Sequence, residues 1–228
     1  MREIGAEINS AILKGKKICL RVYALLEPAE LTLESIIAGI LRQYNRLDLQ
    51  GAIYTSVKEL VINGTKANFK RILFAEENIG TGSDDVRLEN GMKLFRKKLN
   101  EKFIYEYARK GQAAGLYVDV IFRHNPASLI VEVINNSPIT DREDKRIRSK
   151  FAKSMRFDDI AQFYLEAGDS TEGAGMGIVL VTMLLKSSSI DPHGFTIRTD
   201  YQQRTIAKLE IPLMNEHITA RDRFLQRI

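Results

Sequence analysis

The sequence is poor in the residues that build disulfide and zinc modules. Its 228 residues include one cysteine, Cys19, and three scattered histidines, His124, His193 and His217. One cysteine cannot form an internal disulfide, and these spacings match no cysteine and histidine zinc module. Cys19 lies within the apolar run Ile18 to Leu20, so we predict a buried side chain that acts as a small hydrophobe.

Long uninterrupted hydrophobic runs are also missing. No window contains the roughly 18 to 20 apolar residues that a membrane helix requires, and Met1 to Ser10 lacks the apolar run of a secretory signal. We therefore expect a cytoplasmic protein without a membrane partner. With 44% hydrophobic residues and only 5 prolines the chain can bury a core, and we predict one domain over residues 1–228.

Acidic residues are outnumbered by basic ones. The net charge of +5 permits an anionic partner, such as nucleotide phosphates, nucleic acid or an acidic protein surface. The excess is greatest between Arg87 and Lys110, where eight Lys or Arg residues accompany three Glu. Such a stretch is either a solvated helix face or a binding surface.

The hydrophobic pattern predicts helices in the first half of the chain. A strand and a helix occupy residues 16–45, and apolar residues from Leu33 to Tyr44 recur at helical spacing. A second helix begins near an N-cap at Asp48, continues to about Phe74 and has a core stripe from Ile53 to Gly64. A third begins at about Leu88 and carries aromatic residues at steps of four.

Strands dominate the remaining prediction. The segments 116–123 and 129–134 flank a turn and indicate an antiparallel pair, and 195–199 with 205–213 indicate a final hairpin. Between them lie a charged helix over 140–153, a polar loop and a buried helix over 178–185. This order predicts an α+β fold, a two-layer α/β sandwich whose mixed, mostly antiparallel sheet is covered on one face by helices.

Polar residues form a stripe on the second helix. Glu59, Asn63, Lys66 and Lys70 recur at helical spacing and therefore point in one direction. A carboxylate and a carboxamide one turn apart can hold a hydrated Mg²⁺, and a nearby lysine can meet phosphate oxygens. The alternative is an ordinary amphipathic helix with a charged exterior.

A glycine-rich loop precedes the buried helix. Gly173, Gly175 and Gly177 alternate, and a backbone without Cβ atoms beside a helix N-terminus can approach phosphates closely. Neither the dinucleotide fingerprint nor the P-loop pattern is present. Tight helix packing would equally explain the glycines.

A third polar segment follows a strand at Val133 to Ile139. Asn135, at the end of that strand, could pair with the edge of a heterocycle through its amide. The run Asn-Asn-Ser-Pro is also a good turn, which is the alternative interpretation.

In this order the three segments resemble the nucleotide-binding boxes of the GHKL superfamily, which includes DNA gyrase, the large heat-shock chaperones, MutL, histidine kinases and anti-sigma-factor kinases. Residues 59–64 (ELVING) resemble the N box E-L-x-x-N-A, residues 133–139 resemble V-x-D-N-G-x-G, and residues 173–178 (GAGMGI) resemble G-x-G-L-G-L. Residues 207–213 resemble the closing strand of histidine-kinase ATPase domains. The resemblance covers about residues 50–213 and implies the Bergerat fold.

The resemblance implies a role for each matching residue. Asn63 would be the Mg²⁺ ligand, and Glu59 the catalytic residue that polarises a water or accepts a proton. Lys66 would face the phosphates of ATP or ADP. The glycine box, Gly173, Gly175, Met176 and Gly177, would wrap those phosphates, and Asn135 falls where the family usually has the aspartate that accepts a hydrogen bond from the adenine amino group.

The chain departs from the family in two places. Asn135 lacks the charge of that aspartate, and Ser137 and Ile139 replace two glycines, so adenine binding is expected to be weaker or altered. The segment at about 79–111 has no counterpart in compact histidine-kinase domains, and we interpret it as a helical insertion. Residues 140–171, between two boxes, are expected to form a lid over the phosphates.

Two hypotheses remain. No histidine precedes His124, which excludes autophosphorylation on an upstream helix within this chain, and the 15 residues after Leu213 leave no room for a transducing domain. The first hypothesis is a stand-alone domain that binds ATP and Mg²⁺ and acts in signal transduction on a partner protein, as a kinase or by nucleotide-dependent contacts; a homodimer is compatible with it, and nucleic acid is not expected. The second is a degenerate GHKL domain with weak or no ATPase activity, in which the basic insertion is the docking surface of an interaction module.

Overall fold

The computed structural model describes residues 2–79, 85–157, 161–163, 176–214 and 217–225. The helices and strands with described bounds are, in chain order, α1 (Arg2–Leu13), β1 (Ile18–Val22), α2 (Glu27–Gln43), α3 (Gln50–Glu76), α4 (Asp85–Lys98), α5 (Glu101–Ala113), β2 (Val118–His124), β3 (Ser128–Asn135), α6 (Asp141–Ser154), α7 (Met176–Ser187), β4 (Phe195–Thr199), β5 (Thr205–Pro212) and α8 (Ala220–Leu225). Short 3₁₀ helices lie at Leu47–Leu49 and Pro192–Gly194.

The strands form one open sheet in the order β1-β2-β3-β5-β4. Each neighbouring pair among these five strands is antiparallel, so the described sheet contains none of the parallel pairing that a mixed sheet would have. The predicted α+β sandwich and both predicted antiparallel pairings are confirmed.

Buried and more exposed residues alternate along the strands, and this pattern shows which face of the sheet the helices cover. Val118, Val120 and Phe122 of β2 are buried, whereas the residues between them face the other side of the sheet. The buried strand residues join α1, α2, α3 and α7 in one hydrophobic cluster. The opposite face carries charged residues, among them Arg21 paired with Asp119 at 2.7 Å. The helices therefore form the second layer on one face.

A second hydrophobic cluster joins the C-terminal half of α3 to α4 and α5. Its rings include Phe69, Phe95, Phe103 and Tyr107, and the rings of Phe103 and Tyr107 stack at 3.8 Å between centroids. The helical segment that we interpreted as an insertion thus has its own apolar contacts with α3. That it is an insertion relative to a family stays a prediction.

Three details of the sequence prediction are wrong. Cys19 is exposed. Successive side chains of a strand point to opposite faces of the sheet, and because Ile18 and Val22 are buried on the helix-covered face, Cys19 points to the open face. The single third helix is two helices, α4 and α5, and the side chain of Asn100 caps α5 by accepting from Phe103 N. Asp48 does not cap α3, since it lies in the preceding 3₁₀ helix.

The N-terminal helix α1 was not expected from the pattern. It packs on α2 through Ile12, whose Cδ1 lies 2.7 Å from the position that a Cβ on Gly39 would take. Across the described ranges no helix has the length and apolar character needed to cross a membrane.

Candidate functional site

Helix α3 carries the polar stripe and packs on the sheet. A Cβ at Gly64 would lie 2.9 Å from Val118 Cγ2, so the absence of a side chain there lets the helix lie close to β2. Ile53, Val57 and Val61 are fully buried beneath the helix. Glu59 and Asn63 lie on the opposite side of α3, where they contact residues other than those of the sheet.

Glu59 and Asn63 contact each other. The Asn63 amide nitrogen donates to Glu59 Oε1 at 3.1 Å, as expected for residues one helical turn apart. This bond uses the nitrogen of the amide, and Asn63 Oδ1 accepts no hydrogen bond from a described residue. Asn63 is exposed, so its oxygen is accessible to a ligand.

The first turn of α7 packs directly on this pair. A Cβ at Gly177 would lie 2.4 Å from Glu59 Oε1 and 2.5 Å from Asn63 Nδ2, so only glycine fits without displacing these side chains. The N-terminus of α7 presents N–H groups that have no acceptor within the helix, together with the positive end of the helix dipole. The structure therefore brings the end of the glycine box to the polar stripe, although the two are more than one hundred residues apart in the sequence.

Asn135 lies at the end of β3 beside the same helix. It is 7% exposed, and its amide nitrogen donates to the Gly64 carbonyl oxygen at 3.2 Å. Asn135 Oδ1 is buried without a hydrogen-bond partner among the described residues. A buried acceptor that lacks a donor costs about 1–3 kcal/mol, so this oxygen is suited to a ligand that donates.

The residues after Asn135 hold the turn in place. The Asn136 amide accepts from Tyr117 N at 2.8 Å and donates to the Gly115 carbonyl at 2.7 Å. Ser137 donates to the side chain of Asn68 at 3.0 Å, and both are buried. Asn68 was not singled out in the sequence. Its spacing four residues after Gly64 on α3 was the signal that could have identified it.

The two lysines of the stripe have different environments. Lys66 is half-buried and has no ion-pair partner within the described ranges. Lys70 forms an ion pair with Glu143, which also completes a capping box with Thr140 at the start of α6. Burial raises the pKa of Glu143, but the positive charge of Lys70 and its hydrogen bond lower that pKa more, so the net value lies below the usual range.

Some predicted site residues are not described or have other contacts. Gly173 and Gly175 lie outside the described residues. The side chain of Met176 is half-buried and packs with Phe163 and Val179 in a small apolar cluster. The roles that the family resemblance implies for these three residues stay predictions.

The predicted lid, residues 140–171, includes helix α6. Residues 141–154 form α6, whose Phe151 ring lies 4.9 Å from the Phe195 ring and whose Arg148 donates to the Ile197 carbonyl at 3.0 Å. These contacts join α6 to β4, and the lid stays a prediction. Residues 158–160 and 164–171 of the predicted lid lie outside the described residues.

The side chains on α3 could hold a hydrated divalent cation. No group of three or more His, Cys, Asp or Glu side chains that could hold a metal occurs in the part of the chain that the structure describes. Mg²⁺, however, keeps several waters and needs only one or two protein oxygens. Asn63 Oδ1 could supply such an oxygen.

Comparison with known proteins adds one relative. An uncharacterized protein of Treponema pallidum (strain Nichols) is 28% identical over 206 residues, which is 90% of this chain. The chain spans 40% of the length of that relative. No family model matches, and no solved structure matches.

Proposed function

We propose that this chain is an ATP- and Mg²⁺-binding domain of the histidine-kinase-like type that acts in signal transduction on a partner protein. It would phosphorylate that partner or change its contacts with it according to the bound nucleotide. The GHKL resemblance suggests this function, and the described geometry supports it through three segments that meet at one place: α3, the end of β3 and the first turn of α7.

One observation carries the proposal. Asn63 and Asn135 are two amides whose nitrogens are engaged within the protein and whose oxygens have no donor among the described residues. Asn63 is exposed and Asn135 is buried. An exposed oxygen suits a hydrated cation, whereas a buried oxygen suits an amino group of a base.

The charges nearby agree with an anionic ligand. Lys66 follows Asn63 by one helical turn and is not neutralised by a described carboxylate. The first turn of α7, whose backbone N–H groups have no acceptor within the helix, lies in the same region, since Gly177 abuts Glu59 and Asn63. Bound Mg²⁺ would supply neutralisation of phosphate charge. Asn63 would hold the ion, and Lys66 would contact phosphate oxygens.

Glu59 is the residue that we assign to proton transfer. Its carboxylate lies on the same helix face as the proposed metal ligand and is fixed by the hydrogen bond from Asn63. It would accept a proton from a water or from a hydroxyl of the partner protein. Gly173 and Gly175 would complete the phosphate contacts.

The deciding experiment is titration of the purified protein with ATP by calorimetry, with and without Mg²⁺. We expect saturable binding that Mg²⁺ strengthens. Asn63→Ala should weaken Mg-ATP binding by about 1–3 kcal/mol, the scale of a lost contact to a charged group, and abolish the effect of the metal.

The control is Asn90→Ala, which changes an exposed asparagine on α4 and should leave affinity unchanged. Unchanged Mg²⁺ dependence in Asn63→Ala would contradict the metal assignment. Absence of any ATP binding to the folded protein would contradict the proposed function and favour an interaction module.

A further inference from the structure

An open groove lies at the other end of α3, away from the proposed nucleotide site. Its volume is about 590 Å³, and α3, α4 and α5 all line it. Glu76, at the end of α3, lies 17 residues after Glu59, which is about 25 Å along a helix. The groove is therefore a separate surface, and a ligand could bind there whether or not the protein binds a nucleotide.

Three apolar or aromatic side chains line the floor of the groove. Leu94 is half-buried, whereas Phe103 and Tyr107 are 6% and 3% exposed and belong to the aromatic cluster on α3. The Tyr107 hydroxyl donates to Glu76, and burial together with this bond raises the pKa of Tyr107 to about 12. The floor thus offers small apolar areas between fixed polar groups.

The rim is basic, and part of its charge is unpaired. Lys98 and Lys110 pair with carboxylates, at 3.3 Å from Glu77 and 2.7 Å from Glu76. Lys97 and Lys102 are exposed and have no hydrogen-bond or ion-pair partner within the described ranges. Two cations are therefore available to a ligand at the mouth of the groove.

We propose that this groove binds an acidic segment of a partner protein that also carries an apolar side chain. Carboxylates of the segment would pair with Lys97 and Lys102, and its apolar side chain would lie on Leu94. Charge complementarity supplies orientation and association rate, and the apolar contact supplies affinity.

The groove fits nucleic acid less well. Nucleic-acid interfaces are strongly positive, whereas Glu76 and Glu106 lie in this groove among its four lysines. Single strands are held by bases that stack on aromatic faces, but Phe103 and Tyr107 are buried and stack on each other. A peptide segment that has fewer negative charges than a nucleic acid and also carries a compact apolar residue matches this surface better.

The test is fluorescence anisotropy with a labelled peptide that repeats Asp-Glu-Leu four times. We expect saturable binding that weakens with added salt. The double variant Lys97→Glu/Lys102→Glu should bind about tenfold more weakly, which corresponds to two exposed ion pairs. The control Lys14→Glu/Lys16→Glu, which reverses two exposed lysines at the turn between α1 and β1, should bind like the wild type.

Two further ligands test the choice of partner. A peptide that repeats Asp-Glu-Ser should bind more weakly than the leucine peptide, and equal binding would overturn the apolar part of the proposal. Tighter binding of oligothymidylate of similar length, with the same dependence on Lys97 and Lys102, would assign the groove to nucleic acid instead. Equal peptide affinity in both double variants, or no saturable binding by the folded protein, would overturn the proposal.

Discussion

A buried amide whose oxygen lacks a donor is the most informative single residue in the proposed nucleotide site. The bond from Asn135 Nδ2 to the Gly64 carbonyl fixes the amide so that Oδ1 remains the free atom. An acceptor in this position selects a base that presents an amino group, as adenine does, over one that presents a carbonyl, as guanine does. In the proposed site, base preference would thus depend on one oriented side chain.

We expect Asn135→Asp to increase the preference for ATP over GTP, since a charged acceptor bonds an amino group more strongly. The same change should lower the melting temperature without ligand, because Asp cannot donate to the Gly64 carbonyl. Asn135→Ala should weaken ATP binding and reduce the preference. Calorimetry with both nucleotides measures the effect.

The matched control for that series is Asn136→Asp. Asn136 bonds to the backbone of Tyr117 and Gly115, so its replacement should affect stability and leave the ATP to GTP ratio unchanged. Equal ATP and GTP affinities in the wild type and in both Asn135 variants would defeat the assignment of Asn135 to the base.

The Lys70 ion pair makes stability depend on pH. A carboxyl whose pKa is lowered in the folded state, as that of Glu143 is, stabilises the fold above the unfolded-chain pKa of about 4.3. This contribution is lost as pH falls through the folded-state pKa. Lys70→Met should therefore reduce the free energy of unfolding by about 1–2 kcal/mol at pH 7 and by less at pH 3.

Urea unfolding at pH 3, 5 and 7 measures this difference. Lys66→Met is the control, since Lys66 has no described ion pair and its loss should cost little at any of the three pH values. A loss of stability in Lys70→Met that is the same at pH 3 and pH 7 would contradict the role of the Glu143 charge.

At the scale of elements, the contact between α3 and α7 depends on one missing side chain. Gly177→Ala would place a methyl group within 2.5 Å of atoms of both Glu59 and Asn63 and so displace them. Alanine stabilises a helix by about 1 kcal/mol relative to glycine, and this gain offsets the cost of displacing the two side chains. The stability of the protein without ligand should therefore change little. We expect Mg-ATP affinity to fall about tenfold.

Gly51→Ala provides the comparison, because Gly51 is also helical and a Cβ there would contact nothing within 4 Å. Its nucleotide affinity should equal that of the wild type. If Gly177→Ala binds Mg-ATP normally and only its melting temperature falls, the glycine serves helix packing alone.

Element types could be predicted from periodicity because most helices and strands here have one buried face. α2 and the two hairpin-like strand pairs follow the expected spacing of apolar residues. The division between α4 and α5 was missed, because Phe95 and Phe103 keep helical spacing across the break and only the cap at Asn100 marks it. Cys19 was misplaced because the run Ile18 to Leu20 does not reveal which face is covered.

The site itself could be predicted only in part. Residue types and their order suggested the polar stripe and the end of the glycine box, and the structure brings Glu59, Asn63 and Gly177 into contact. The orientation of the Asn135 amide could not be predicted, because it depends on the Gly64 carbonyl of a helix that is 71 positions away in the sequence.

At the scale of the whole molecule, α3 connects two surfaces of different chemistry. One half of this 27-residue helix lies over the sheet and faces the first turn of α7, and the other half carries α4 and α5 with the basic groove. A protein that only binds partners needs the groove alone. A kinase needs the groove or another docking surface together with a group that accepts the proton of the acceptor hydroxyl.

Glu59→Gln distinguishes these two activities. The Gln side-chain oxygen can still accept from Asn63, so the contact with α7 should persist and ATP affinity should be nearly unchanged. General-base catalysis contributes about 10²- to 10⁴-fold, so turnover of ATP or transfer to a partner should fall by that factor. Glu34→Gln, on α2, is the control and should retain full activity.

Radiolabelled ATP provides the measurement, with the purified protein alone and with candidate partners. Phosphate release or transfer that survives Glu59→Gln would remove the proton-transfer assignment while leaving nucleotide binding intact. Binding of Mg-ATP without release or transfer under any condition would mean that Glu59 serves only to hold Asn63 and α7 in place. In that case the nucleotide would regulate contacts of the protein, and the groove on α4 and α5 would be the first surface to examine for them.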